Sequence, residues 1–171
     1  QTSVPEAMVL LDENEEELSK VNFKQNYTAI GIGPGMGTNQ SAANALKLLI
    51  QESAIPMVID ADALNILAEN KTWLSFLAKG TILTPHPGEF KRLVGSWSDD
   101  YERLQLQIEL AKCYEIYVVL KGHYTSIATP AGEVFFNSSG NSGMAKGGSG
   151  DALTGIITSL LAQRIPSKEA C

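Results

Sequence analysis

The sequence predicts an α/β fold: a mostly parallel sheet with helices on both faces, plus a β-hairpin. Two observations predict it. Apolar runs of strand length, such as Met57-Val58-Ile59-Asp60-Ala61 and Ile116 to Leu120, do not alternate with polar residues. That is how strands buried on both faces read. Between these runs lie segments whose apolar residues recur at helical spacing, the order expected of strand–helix–strand units.

In chain order, Thr28-Ala29-Ile30-Gly31-Ile32 reads as a strand entering a glycine turn. Asn39 to Glu52 reads as a helix, because Ala42, Ala45, Leu46, Leu49 and Ile50 share one face. The strand from Met57 is bounded by Pro56, and Asp62 is the expected cap of a helix running through Leu67. Thr72 to Ala78 is a further helical piece, and Thr81 to Thr84 a strand stopped by Pro85. Helical patterns return at Gly88 to Val94 and Asp99 to Tyr114. Ser126 to Ala128 and Glu133 to Phe136 form the expected hairpin around Thr129-Pro130-Ala131-Gly132. Asp151 to Gln163 is a strongly apolar helix. Both ends read as cut: Gln1 to Glu6 opens without a leading strand, and Ser167 looks like the N-cap of a helix that does not continue.

With 171 residues the chain suffices for one domain, and 44% apolar with 19% charged residues is ordinary for a soluble globular protein. The formal charge of -6 argues against a nucleic-acid partner, which needs a basic face. It leaves room for a single anionic ligand in a local pocket of donors. Cys113 and Cys171 fit no metal or redox spacing and are expected as reduced thiols of a cytosolic protein. No apolar run reaches the ~18–20 residues of a membrane span. The acidic run Asp12 to Glu17 reads as a solvated loop or helix start.

In parallel sheets the ligand lies beyond the carboxyl ends of the strands. The unusual residues fall there: Gly33-Pro34-Gly35-Met36-Gly37, then Asp60, His86 and Lys121, each after a strand. The strongest motif is Asn141-Ser142-Gly143-Met144-Ala145-Lys146-Gly147-Gly148-Ser149-Gly150-Asp151, which runs into a helix. Glycines admit close backbone approach, and the N–H groups of a helix start attract an anion such as a phosphoryl group in transfer. Asp151 at its rim is placed to take a proton from a hydroxyl, or simply to cap the helix. The spacing matches neither the P-loop nor the dinucleotide fingerprint. In Thr84-Pro85-His86-Pro87-Gly88-Glu89-Phe90, His86 and Glu89 are candidates for hydrogen bonds to a polar ligand; a structural histidine is the alternative. Asp60 or Asp62 is a candidate to help hold a hydrated Mg²⁺, against a helix cap plus a strand-end hydrogen bond. Lys121-Gly122-His123-Tyr124-Thr125 either lines a phosphate or ribose pocket or is a plain connector.

These segments, with Val4-Pro5-Glu6-Ala7-Met8, Asp60-Ala61-Asp62-Ala63-Leu64-Asn65 and Val119-Leu120-Lys121-Gly122, resemble the ADP/ATP-dependent NAD(P)H-hydrate dehydratases, a branch of the ribokinase-like superfamily. They come in that family's order over nearly the whole chain. The resemblance implies a three-layer ribokinase-like fold in which residues 1–171 form a single, partial dehydratase domain. It implies phosphorylation of the ring hydroxyl of (6S)-hydrated NADH or NADPH by ADP or ATP, with Mg²⁺, followed by elimination. It implies substrate contacts at Gly37, His86, Pro87, Gly88, Glu89, Phe90, Lys91, Arg92 and Asp151, and gives Asp151 the role of base. It implies a nucleotide site along Lys121, Gly122, His123, Tyr124, Thr125, Asn141, Ser142, Gly143, Met144, Ala145, Lys146, Gly147, Gly148, Ser149 and Gly150. A cytoplasmic homo-oligomer without nucleic-acid or membrane partners completes the expectation. The competing readings are a small-molecule kinase of the same superfamily, acting on a vitamin precursor or sugar, and a non-catalytic nucleotide-binding fragment.

Overall fold

The structure, a computed structural model, describes residues 4, 6–12, 18 and 27–171. The acidic run beyond Asp12, and most of the opening hexapeptide, lie outside the described residues. Among the described residues one sheet holds six strands in the order β1 (Ile30–Ile32), β2 (Met57–Ile59), β3 (Ile82–Leu83), β4 (Tyr117–Leu120), β5 (Ser126–Ala128) and β6 (Val134–Phe136). The first four are parallel, and β5 and β6 close the sheet as an antiparallel hairpin.

Each parallel neighbour is also the next strand in sequence, so every crossover steps the same way. Crossovers of one hand stepping one way leave their helices on one face. That face carries α1 (Gln40–Glu52), α2 (Ala61–Glu69), a 3-10 turn at Lys71–Phe76, α3 (Pro87–Val94) and α4 (Asp100–Tyr114). Met57, Ile59, Leu83, Val118 and Leu120 point into this larger core. Val58, Ile82 and Val119 point the other way, against α5 (Ser149–Ala162) and α6 (Ser167–Ala170). The unalternating strands thus fill two cores, as expected.

Capping chemistry fixes the helix starts. Asn39 accepts a hydrogen bond from the Ala42 amide at 2.9 Å, and Asp99 from that of Glu102 at 2.8 Å. Two expected caps are corrected. Asp62 lies inside α2 and instead accepts from the Gly37 amide at 3.0 Å. Ser167 is the first residue of α6, after Pro166, and its hydroxyl donates to the Gly80 carbonyl at 2.8 Å. In both cases a nearby chain crossing supplies a partner that the local sequence does not reveal. The Thr72–Ala78 piece forms the tighter 3-10 turn rather than a continuous α-helix.

Two details set the geometry of the sheet's carboxyl edge. Gln107 of α4 is fully buried; its amide donates to the carbonyls of Val118 and Ser126 at 2.8 and 3.0 Å, and it accepts from the Ser126 hydroxyl at 2.7 Å. It pins the junction where the sheet turns antiparallel, just before and after Lys121–Thr125. On the opposite face, α5 lies so close to β1 that a Cβ on Gly31 would overlap the Thr158 hydroxyl. Both cysteines are free; Cys113 is exposed, while burial pushes the Cys171 thiol up to about 12.

Gly31→Ala is expected to lower stability by about 1–3 kcal/mol, as overpacking does. Adding Thr158→Ala should recover most of that loss. Urea midpoints of the two variants test it, and an unchanged midpoint for Gly31→Ala would mean that α5 sits further from the sheet.

Candidate active site

The carboxyl ends of β2 and β4, the start of α3 and the start of α5 meet at one buried carboxylate. Asp60, which follows β2, is 2% exposed. Its Oδ1 accepts from the Lys121 ammonium at 2.7 Å and its Oδ2 from the Thr154 hydroxyl at 2.9 Å. Lys121 follows β4, and its own amide donates to the Pro85 carbonyl at 2.8 Å. Its Nζ also lies 4.0 Å from Oε2 of buried Glu89. Thr154, on the inner stripe of α5, ties that helix to the sheet.

His86 closes the third side. Its Nδ1 accepts from the amides of Gly88 at 2.9 Å and Glu89 at 3.4 Å, while Glu89 accepts from the His86 amide at 2.8 Å. This reciprocal capping box starts α3. A neutral ring accepting at Nδ1 carries its proton on Nε2. Nε2 lies 3.5 Å from Glu89 Oε1, and the side chain is 51% exposed. His86 is therefore structural at one nitrogen and still presents ring surface to solvent. Pro87, Lys91 and Arg92 are exposed, and Arg92 donates to Asn65 at 2.9 Å. Phe90 is a correction: it is fully buried, packed against Trp97 at 5.7 Å between centroids, and offers no surface to a ligand. Helical spacing turns Phe90 and Leu93 inward while Lys91 and Arg92 face out.

The glycine-rich segment is open. Residues 141 to 148 are exposed, with a short 3-10 turn at Ser142–Met144 held by Asn141, whose side chain accepts from Gly143 at 2.8 Å. Gly148 is the N-cap of α5 with φ 87°, a left-handed conformation that glycine adopts without a Cβ penalty. Lys146 presents its carbonyl to the Ser149 hydroxyl at 2.8 Å. The amides of Gly147, Gly148, Gly150 and Asp151 find no acceptor among the described residues. A helix leaves its first amides unpaired, and here they face no protein partner. Asp151 sits in that first turn, exposed, with no hydrogen bond or ion pair among the described residues. Gly150 lies directly over the buried cluster: a Cβ there would sit 3.5 Å from both Asp60 Oδ2 and Lys121 Nζ.

The other segment expected at a nucleotide runs alongside. Asn137 donates to Thr125 at 2.9 Å, and Gly140 packs against the His123 carbonyl. His123 and Tyr124 are exposed and meet edge to face at 4.6 Å. The structure thus brings residues 121–125 and 137–151 to one end of the sheet, next to the start of α3. Gly37 joins the same edge through its bond to Asp62. Asp60 and Asp62 both have protein partners, and among the described residues no three metal-ligating side chains converge.

The family profile for NAD(P)H-hydrate dehydratase matches residues 1–171. The chain belongs to the NAD(P)H-hydrate dehydratase family. It is 43% identical over 153 residues to the ADP-dependent (S)-NAD(P)H-hydrate dehydratase of Neisseria meningitidis serogroup B, covering 86% of this chain and 51% of that protein. A solved ADP/ATP-dependent NAD(P)H-hydrate dehydratase of Bacillus subtilis, co-crystallised with ATP and Mg²⁺, is similar over 91% of this chain and 54% of that one, at 33% identity and TM-score 0.72. A ribokinase-like superfamily protein of Enterococcus faecalis matches at 34% identity and TM-score 0.66, over 80% of this chain and 48% of that one. The expected ribokinase-like architecture is therefore the observed one. The dehydratase-family chain described here spans about half the length of these relatives.

Thr154 is the residue that sequence reasoning missed. The signal was present: a hydroxyl on the stripe Thr154, Ile157, Leu161 of an otherwise apolar helix must find a buried partner. Asp60→Ala strands the Lys121 ammonium and orphans Thr154. It is expected to cost about 3 kcal/mol, the lower end for a broken buried pair, because the Lys121 side chain keeps 23% exposure. Urea unfolding measures it; a loss below about 1 kcal/mol is the value of a screened surface pair and would contradict the arrangement.

Proposed function

We propose that this segment carries the nucleotide site and the general base of an ADP- or ATP-dependent enzyme that dehydrates (6S)-hydrated NADH or NADPH. The observation that carries the reading is the start of α5: four amides without acceptors beside an exposed, unpaired carboxylate, in a chain of this family. Amides at a helix start favour negative charge and, when aimed at it, stabilise charge that develops on a transferring phosphoryl group. Asp151 takes the proton of the ring hydroxyl as that oxygen attacks the terminal phosphorus, whose bond to the bridging oxygen breaks and releases AMP from ADP, or ADP from ATP. Departure of phosphate from that carbon, with loss of a proton from the adjacent ring carbon, restores the double bond of the dihydronicotinamide.

Mg²⁺ fits this site as a passenger on the nucleotide. It commonly binds through phosphates and water with few protein carboxylates, and Asp60 and Asp62 are held by protein donors. When bound, it neutralises charge on the phosphates. The chain's share is to hold the phosphates by amides and to orient Asp151. Exposed Tyr124 and His123 border the same loop and suit contact with the nucleotide's base or sugar. The half-exposed His86 and the outer face of α3 are the substrate side. We place the reaction in the cytoplasm, in a homo-oligomer, as the resemblance implies. Free cysteines suit a reducing compartment, and no helix among the described residues is long and apolar enough to cross a membrane.

The test adds ADP or ATP with Mg²⁺ to hydrated NADPH and the full chain, and follows the reduced-nicotinamide absorbance. Nucleotide-dependent recovery supports the reading; phosphorylation of a vitamin precursor or sugar instead would replace it with the kinase reading. Asp151→Asn is expected to lower turnover about 10²–10⁴-fold, the usual range for a lost general base, while ADP still binds. Turnover near that of the parent would remove Asp151 from the chemistry. Gly150→Val pushes a branched side chain onto Asp60 and Lys121 and should weaken ADP binding at least about tenfold in calorimetry, a cost typical of overpacking. Equal affinity would place the phosphates elsewhere.

A further inference from the structure

The turn that leaves β1 is costly to hold still. Gly33, Gly35 and Gly37 have φ of 130°, 66° and 78°, in the region that favours glycine. Glycine loses the most conformational freedom on ordering, so this turn keeps one shape only where other groups hold it. The Met36 side chain is buried, and the Met36 carbonyl accepts from the Leu18 amide at 3.1 Å. The Gly37 amide donates to Oδ2 of Asp62 at 3.0 Å. Among the described residues, Asp62 is the one side chain hydrogen-bonded to the turn. The backbone beside it is set for that bond. Ala61, the first residue of α2, has φ 47°, a left-handed conformation that a Cβ disfavours and that persists only where its surroundings impose it. It bends the chain between two carboxylates. Asp60 meets Lys121 and Thr154, while Asp62 meets Gly37. The start of α2 thus stands between the turn after β1 and the start of α3, and Arg92 ties α3 to Asn65 of α2 at 2.9 Å.

We propose that Asp62 is a positioning residue for the hydrated dinucleotide: its carboxylate holds the Gly33–Gly37 turn in place as a wall of the substrate side. The inference rests on the reading of this edge as the active site of a dehydratase of hydrated NADH or NADPH. Turns at the carboxyl edge are where parallel sheets meet their ligands, and Gly35 in this turn is exposed. A wall that is already ordered spares the substrate the entropy of ordering it, so the anchor acts on substrate binding. Asp151 and the amides of α5 belong to another element, so the chemical step and the nucleotide do not depend on Asp62. The bond to Gly37 needs an acceptor oxygen rather than a charge, and the amide oxygen of an asparagine also accepts.

The experiment compares Asp62→Ala and Asp62→Asn with the parent in the full chain. It measures kcat and KM for hydrated NADPH at saturating ADP and Mg²⁺, ADP affinity with Mg²⁺ by calorimetry, and amide hydrogen exchange at Gly37. The Gly37 amide should be protected in the parent and exchange faster in Asp62→Ala. Asp62→Ala should raise KM about tenfold or more, with kcat and ADP affinity within about threefold of the parent, the pattern of lost ground-state binding. Asp62→Asn should keep Gly37 protected and KM within about threefold, because the acceptor remains. Four results would overturn the proposal. Fast exchange of Gly37 in the parent would mean that Asp62 holds nothing there. An unchanged KM in Asp62→Ala with Gly37 released would mean that the turn does not face the substrate. A raised KM with Gly37 still protected is the mark of direct contact between Asp62 and the substrate. Asp62→Asn as impaired as Asp62→Ala, with weaker ADP binding in both, is the mark of a carboxylate on the metal. If Asp62→Ala does not fold, Asp62→Ser, whose oxygen sits on a shorter side chain, takes its place. If the parent protein does not act on hydrated NADPH, the functional reading falls, while exchange at Gly37 in parent and variants still decides the anchor.

Discussion

Asp60 holds a carboxylate almost out of water, with an ammonium on one oxygen and a hydroxyl on the other. Leaving such a charge unpaired costs several kcal/mol, so its partners are fixed in place by the same free energy. Those partners are 61 and 94 residues away in sequence. One comes from the end of β4, the other from α5, and Glu89 at the start of α3 stands beside them. The carboxyl edge of the sheet is therefore a joined object rather than a set of independent loops. Loops that carry chemistry gain precision when rigid elements hold them, and here one buried group ties four such elements.

The topology explains why the second core is left to α5. Parallel strands laid down in sequence order send every crossover helix to one face. The other face is covered only after the hairpin returns the chain, by the helix that follows the glycine-rich segment. A helix packed along a parallel strand, with its N-terminus at the carboxyl edge, brings its unpaired amides to the place where α/β sheets bind ligands. Close packing at Gly31 and the Thr154 bond fix that helix at two heights.

Much of this was legible in the sequence, and for physical reasons. Unalternating strands such as Met57–Ile59 are buried on both faces, and the glycines before Asp151 form an exposed segment that enters its helix through a left-handed Gly148. What was not legible depended on long-range pairing. Asp62 reads locally as a cap because nothing nearby announces the Gly37 amide that it meets. Ser167 is diverted by Gly80 in the same way. The loop from Lys121 to Thr125 reads as a pocket lining or a plain connector, and the sequence hides the Asp60 that the Lys121 ammonium meets across the sheet. Phe90 sits within a polar motif, yet helical phase turns it into the core. Asp60 and Thr154 were each visible as a polar residue in an apolar context, but one sequence does not say which polar residues find each other.

The most direct measurement is a crystal structure of the full chain with ADP and Mg²⁺. The account predicts the terminal phosphate about 3 Å from the unpaired amides of Gly147, Gly148, Gly150 and Asp151. A phosphate seated away from the start of α5, with those amides bound to protein, would contradict it.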